Sequence, residues 1–173
     1  MLKGRIRRAS EPVNPGLRPL RVNDLPYLRC WFLASETLKW FPMQSPEEVE
    51  TDLKLWMQYA QIGAAIVLEE EGRPVAAGVL YLQGTRRQMH QSLFAIIVDS
   101  EQRGRGLGTR LMQGLMRLAK ERFGVDMLAL EVYDGNPAER LYARLGFTEY
   151  GREPDFVRYH GKSIDKIMMY KWI

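Results

Sequence analysis

Val98-Asp99-Ser100-Glu101-Gln102-Arg103-Gly104-Arg105-Gly106-Leu107-Gly108-Thr109 sets glycine at three alternate positions between an apolar run and a helical pattern. The run, Leu93 to Val98, is nearly continuous, as in a strand covered on both faces. After the glycines, Leu107, Leu111, Leu115 and Leu118 form an apolar stripe, while Arg110, Gln113, Arg117 and Lys120 fall elsewhere on the helix. Gly124, following Phe123, is the expected helix stop. Met127 to Tyr133 then alternates Leu128, Leu130 and Val132 with Ala129, Glu131 and Tyr133, the periodicity of a strand. The order is strand, glycine turn, helix, strand.

A helix start exposes N–H groups without intrahelical partners and carries partial positive charge, so it attracts phosphate. Gly104, Gly106 and Gly108 let the main chain approach such a group closely, and Arg103 and Arg105 add cationic donors. The turn is predicted to hold a diphosphate. Two common phosphate loops do not match it. The dinucleotide pattern GxGxxG needs glycine where this chain has Thr109, or Leu111 if counted from Gly106, and no Gly-Lys-Ser/Thr of a Walker loop is present.

Upstream, Leu17 to Val22 reads as a first strand, with Asn23-Asp24 opening a helix that carries Leu25, Leu28, Trp31 and Phe32. Ser45-Pro46-Glu47-Glu48 is a capping box with proline at the first helical position, and Val49, Leu53, Trp56 and Ala60 continue that helix. Ala64 to Glu69 and Val75 to Leu82 flank Glu70-Glu71-Gly72-Arg73 as a hairpin, and His90 to Val98 supplies the strand before the glycines. Downstream, Asn136-Pro137-Ala138-Glu139 caps a helix bearing Leu141, Tyr142 and Leu145, which Gly146 ends. Phe147 to Arg152 and Ile164 to Trp172 are the final strands, joined around Gly161.

The chain has 173 residues and a net charge of +4. Lys3, Arg5, Arg7 and Arg8 account for all of that charge, so residues 1–16 read as a basic extension and 17–173 as one domain. A neutral folded part argues against nucleic acid as a partner. No apolar stretch approaches the roughly 20 residues that span a bilayer, and no secretory leader is evident, so a cytoplasmic location is expected. Cys30 is the single cysteine, which excludes an internal disulfide and a cysteine zinc cage; it is expected in the core. His90 and His160 are too far apart to suggest a metal site, and none is expected.

Val98 to Gly108 resembles the Arg/Gln-x-x-Gly-x-Gly/Ala signature of the GNAT family of N-acetyltransferases, with Arg103, Gly106 and Gly108 on the signature positions. Leu130-Glu131-Val132 and the segment from Asn136 to Phe147, with Leu141-Tyr142-Ala143-Arg144-Leu145-Gly146-Phe147, resemble its second motif. The resemblance implies a mixed α/β (α+β) fold: a central sheet of six to seven strands, splayed between the fourth and fifth and flanked by about four helices. It implies acetyl-CoA in the splay, with main-chain groups near Ile96, Ile97 and Val98 along the pantetheine arm and Arg103, Gly104, Arg105, Gly106, Leu107, Gly108 and Thr109 at the pyrophosphate. Asn136 belongs to the same expected coenzyme site. A homodimer is also an expectation of the family.

Acetyl transfer to an amine needs a neutral amine, a polarised carbonyl and a stabilised leaving thiolate. The resemblance puts Tyr142 beside the coenzyme sulfur as the acid. Glu131, which matches the Leu-Glu-Val of ribosomal-protein acetyltransferases, is the candidate base, directly or through water, with His90 a weaker one. An unpaired strand N–H around Ile97 and Val98 would face the developing oxyanion. Asn136 stands six residues before Tyr142 where many relatives have seven, which bears on how Tyr142 and Glu131 are placed. Trp31, Phe32, Trp40, Phe41 and Trp56 either shape the acceptor pocket or fill the core, and Glu36, Glu47 and Glu48 could attract a cationic amine. The expected activity moves an acetyl group to a primary amine of a small molecule or amino acid, a protein amine being the alternative. A non-catalytic acyl-CoA sensor is the competing reading.

Overall fold

The computed structural model describes residues 16–173, so the basic residues before them lie outside it. Seven strands form one sheet in the order β1-β2-β3-β4-β5-β7-β6. They are β1 (Leu17–Pro19), β2 (Ala65–Glu70), β3 (Arg73–Leu82), β4 (Gln91–Val98), β5 (Met127–Tyr133), β6 (Thr148–Tyr159) and β7 (Lys162–Trp172). The helices are α1 (Leu25–Leu33), α2 (Ser35–Leu38), α3 (Pro46–Gln61), α4 (Leu107–Phe123) and α5 (Glu139–Arg144). Every neighbouring pair is antiparallel except β4 and β5. The expected mixed sheet and its strand-helix order are present.

The apolar strands are sorted by parity, because alternate residues point to opposite faces. Ile66, Leu68, Ala76, Leu80 and Phe94 pack with Leu107, Leu111 and Leu115 of α4. Ala65, Val67, Ala77, Val79 and Ile97 pack with Leu28, Phe32, Val49, Leu53 and Trp56 of α1 and α3. The continuous apolar runs are thus strands buried on both sides. On the second face Phe32 meets the rings of Phe41 and Trp56 edge-on at 4.9 and 5.6 Å. Trp31, Phe32 and Trp56 therefore serve the core.

Local chemistry sets most boundaries. Ser45 Oγ accepts from the Glu48 N–H and the Glu48 carboxylate accepts from Ser45, closing the expected capping box. Glu71 and Gly72, at φ 50° and 77°, make the β2–β3 turn with two left-handed residues, as tight hairpins require. Gly124 (φ 66°) ends α4 by donating to Ala119 and Lys120 carbonyls.

Three expectations change. The first strand is short, Leu17–Pro19, with the Leu20 N–H still donating to the Ala65 carbonyl at 3.0 Å, and a single 3-10 turn at Val22–Asp24 follows, its Asp24 bound by Arg18 at 2.8 Å. The expected flanking helices are present, five of them among the described residues, with α2 a separate turn. Strand β6 continues past Arg152 to Tyr159, through register shifts around Glu149/Gly151 and Glu153/Val157. Pro154 looks like a breaker in sequence but is tolerated because β6 is an edge strand. Cys30 is exposed rather than in the core, since it lies about 200° around α1 from the buried Leu28. Among the described residues no helix is long and apolar enough to cross a membrane.

Leu115 is wholly buried on α4, and a Cβ at Gly78 of β3 would sit 2.5 Å from its Cδ1. Leu115→Ala is expected to cost about 2–5 kcal/mol of unfolding free energy in urea titrations, since helix and strand cannot close further over the hole.

Candidate active site

Strands β4 and β5 are paired only at Gln91↔Met127, Ser92↔Leu128 and Leu93↔Ala129. Beyond that point β4 stays with β3 as far as Ala76↔Val98, and β5 stays with β7 as far as Tyr133↔Lys166. Each strand is held by its outer antiparallel neighbour, so the sheet opens between them. A cavity of about 600 Å³ fills the opening.

The Asp99 N–H donates to Val75 at 3.0 Å, which by alternation gives the main-chain groups of Ile97 and Ala95 to the β3 ladder as well. Phe94, Ile96 and Val98 turn theirs toward the gap. Of the three residues expected along the coenzyme arm, Ile96 and the Val98 N–H face the gap, the Val98 carbonyl accepting from Arg103, while the side chain of Ile97 is in the core under α3.

At the open end, Asp99 Oδ1 accepts from the Glu101 N–H at 3.1 Å and starts a short 3-10 turn, Ser100–Gln102. Gly104 and Gly106 follow at φ 80° and 77°, and a Cβ on either would meet nothing within 4 Å. Here the glycines provide left-handed backbone facing empty space. Gly108 differs: its Cβ would stand 2.9 Å from Leu141 Cδ2, so its bareness lets α5 pack against α4. Gly106 begins α4 with no side-chain cap and no acid in the first turn. The N–H groups of Leu107, Gly108 and Thr109 are therefore available to an outside anion.

The arginines do other work than expected. Arg103 donates from Nη2 to Thr37 Oγ1 at 2.7 Å and from Nε to the Val98 carbonyl at 3.4 Å, stapling α2 to the loop. Arg105 donates to Gln102 and pairs with Glu70 at 2.9 Å, and Arg110 joins the same Glu70. The loop consequently presents main chain first, with cations behind it.

Tyr142 lies in the core on the α4 face, its ring 5.9 Å from those of Phe94 and Phe147, and it lines the cavity. Its hydroxyl has no hydrogen-bond partner among the described residues. Burial pushes its phenol well above the usual tyrosine range, so it keeps its proton. Glu131 lines the cavity from the opposite face, because its neighbours Leu130 and Val132 belong to the α4 side. The gap joins the two faces, and the two residues flank one opening. Glu131 is 3.4 Å from Lys166, which also contacts Glu153 at 2.9 Å and lies 3.8 Å from the Phe156 ring. Burial alone would lower the Lys166 pKa, but the two carboxylates outweigh it and hold the ammonium charged. Asn136 lines the cavity, with Oδ1 accepting from the Ala138 N–H at 2.9 Å.

The other candidates are elsewhere or already engaged. His90 and His160 are exposed and off the cavity, His160 in the β6–β7 turn. Glu48 is held in its capping box, and Glu36 is held below the usual carboxylate range by its own N–H and the Ser100 hydroxyl. Thr37, Met43, Asp52, Tyr81, Arg144 and Phe156 line the cavity without any sequence signal that singles them out. Asp52 is a case in point, reading as an ordinary polar position between Val49 and Leu53.

Residues 29–147 match the model of the acetyltransferase (GNAT) family. The chain belongs to the GNAT family. An L-amino acid N-acetyltransferase of Escherichia coli is 28% identical over 100 residues, 57% of this chain and 62% of that relative, so the match spans less than two thirds of its length. The crystal structure of a ribosomal-protein-alanine N-acetyltransferase from Brucella melitensis superposes with a TM-score of 0.78 at 25% identity, covering 91% of this chain and 99% of that one. A Salmonella typhimurium protein solved with its cofactor acetyl-CoA has a TM-score of 0.74 at 19% identity, over 90% of this chain and 92% of that one. In this GNAT chain the glycine turn, the open sheet and Tyr142 meet at one cavity.

Because Tyr142 holds its proton, Tyr142→Phe should leave the rise of tyrosinate absorbance between pH about 9 and about 11 unchanged. A smaller amplitude in that window would show that Tyr142 ionises with the exposed tyrosines.

Proposed function

We propose that this chain is an acetyl-CoA-dependent N-acetyltransferase acting on the primary amine of a small molecule, amino acids included, by direct attack in a ternary complex. The observation that carries this reading is the uncapped start of α4 at the mouth of the β4–β5 gap, with Gly104 and Gly106 opening onto free space. These features fit a diphosphate followed by an extended arm. Acetyl-CoA, when bound, brings an acetyl group activated as a thioester.

In this proposal the main chain from Arg103 to Thr109 binds the pyrophosphate. The free edge at Ile96 and Val98 pairs with the amide-bearing arm, as a missing strand would. Asn136 supports the far wall from its turn. Tyr142 Oη, protonated and unpartnered, holds a proton for a leaving thiolate. Glu131, on the other face, accepts the proton an ammonium must lose, directly or through water, with Lys166 fixing its carboxylate.

Support for a small acceptor comes from Trp40, Phe41, Pro42 and Met43, which wall the cavity on the α1–α3 side. A protein N-terminus is the second reading, suggested by the fold likeness to the Brucella ribosomal-protein-alanine N-acetyltransferase and by the resemblance of Leu130-Glu131-Val132 to the motif of such enzymes.

Calorimetry should show acetyl-CoA binding, and free coenzyme A should be released with some member of a panel of amines, amino acids, polyamines and N-terminal peptides. Heat without turnover on any of them would leave an acyl-CoA sensor. Gly106→Val places a branched side chain at φ 77° in the cradle and is expected to weaken acetyl-CoA by more than about tenfold. Tyr142→Phe should lower kcat about 10²-fold while binding of acetyl-CoA is kept.

A further inference from the structure

We propose that Asp52, framed by Tyr81 and the indole of Trp56, is the site that receives the acceptor's ammonium, and that the acceptor is a primary amine on an apolar or aromatic carrier. The inference rests on the acetyltransferase reading above and names the acceptor end of that same cavity.

Helix α3 buries Val49, Leu53 and Trp56 against the sheet. Asp52 lies at the border of that stripe, three residues after Val49 and four before Trp56, and so shares a face with both. It is half-buried and lines the cavity together with Tyr81 of β3. Tyr81 stands opposite Leu93, the last β4 residue paired with β5. The corner is therefore at the closed end of the gap, five β4 residues, or roughly 16 Å, from the glycine cradle.

Asp52 has no cationic partner among the described residues. The other carboxylate lining the cavity, Glu131, is paired with Lys166. Burial raises the Asp52 carboxyl above its usual range, and the nearby indole opposes that shift. Trp56 is completely buried, and its Nε1 makes no full hydrogen bond, although it acts on both Asp52 and the Tyr81 hydroxyl. A half-buried carboxylate with no cation beside it, next to a buried indole N–H that falls short of a full hydrogen bond, is unfavourable for folding alone. They suit a cation arriving from the cavity: the indole can steady one carboxylate oxygen while the other faces the ligand.

Arg144, the other arginine that lines the cavity, belongs to α5, which packs on the α4 face, so the charges on the Asp52 side admit a cation and offer an anion little. On this face Arg103 is held by Thr37 and Val98, and Lys166 lies between Glu131 and Glu153. Trp40, Phe41, Met43 and Phe156 supply apolar and ring surface for the carrier, and ring faces also attract an ammonium.

The test uses phenethylamine and 2-phenylethanol, equal in shape and different in charge, titrated by calorimetry into the full chain saturated with coenzyme A. The wild type should prefer the amine by about tenfold or more, and Asp52→Asn should abolish the preference. In turnover, Asp52→Asn should raise KM for phenethylamine between about tenfold and about 100-fold, with kcat and acetyl-CoA binding changed far less, and Asp52→Glu should recover part of the loss. The melting temperature of Asp52→Asn should be equal to or above that of the wild type, because an unpaired carboxylate is removed. Equal binding of amine and alcohol by the wild type, a preference that survives in Asp52→Asn, or a wild type that acetylates other amines and ignores phenethylamine would each overturn the inference. Absence of acetyl-CoA binding would instead overturn the acetyltransferase reading, whatever Asp52 does.

Discussion

Everything at the site depends on β4 and β5 being parallel neighbours that each have a stronger commitment elsewhere. Three register pairs join them, after which β4 follows β3 and β5 follows β7 in long antiparallel ladders. Twist then carries the two halves of the sheet apart. In a sheet interior this would leave unpaired backbone groups at considerable cost, so the opening makes sense only if something else bonds there. The gap also pierces the sheet, so residues on its two faces can act on the same reactants.

The glycine turn shows three identical residues with two different physical duties. Gly104 and Gly106 are left-handed and face open space, whereas Gly108 has ordinary backbone and permits close packing of Leu141. The flanking arginines are drawn into Thr37, Gln102 and Glu70. A cradle of amides and helix dipole, with charges one layer back, keeps its shape before a ligand arrives and avoids immobilising long side chains on binding.

Tyr142 and Glu131 illustrate how the opening divides labour. The phenol is buried among rings, which keeps it protonated, while the carboxylate lies on the other face beside a lysine held between two acids. In the proposed mechanism the first gives a proton and the second takes one. The aromatic front of the chain splits in a similar way. Trp31, Phe32 and Trp56 fill the second core, and Trp40 and Phe41 reach the cavity.

Much of this was legible in the letters. Apolar periodicity located the strands and long helices, the Ser45 box and Gly124 marked helix ends, and alternate glycines before an amphipathic stripe marked the turn at the mouth of the gap. These are local signals, written within a few residues of where they act. What only the tertiary structure decided is non-local: that Ile97 serves β3 while Ile96 and Val98 face the gap, that Arg103 turns to Thr37, that Cys30 faces solvent, that β6 runs on past Pro154, and that Asp52 meets Tyr81 and Trp56. Each depends on which surface another segment covers, and a residue's own neighbours in the chain do not carry that information.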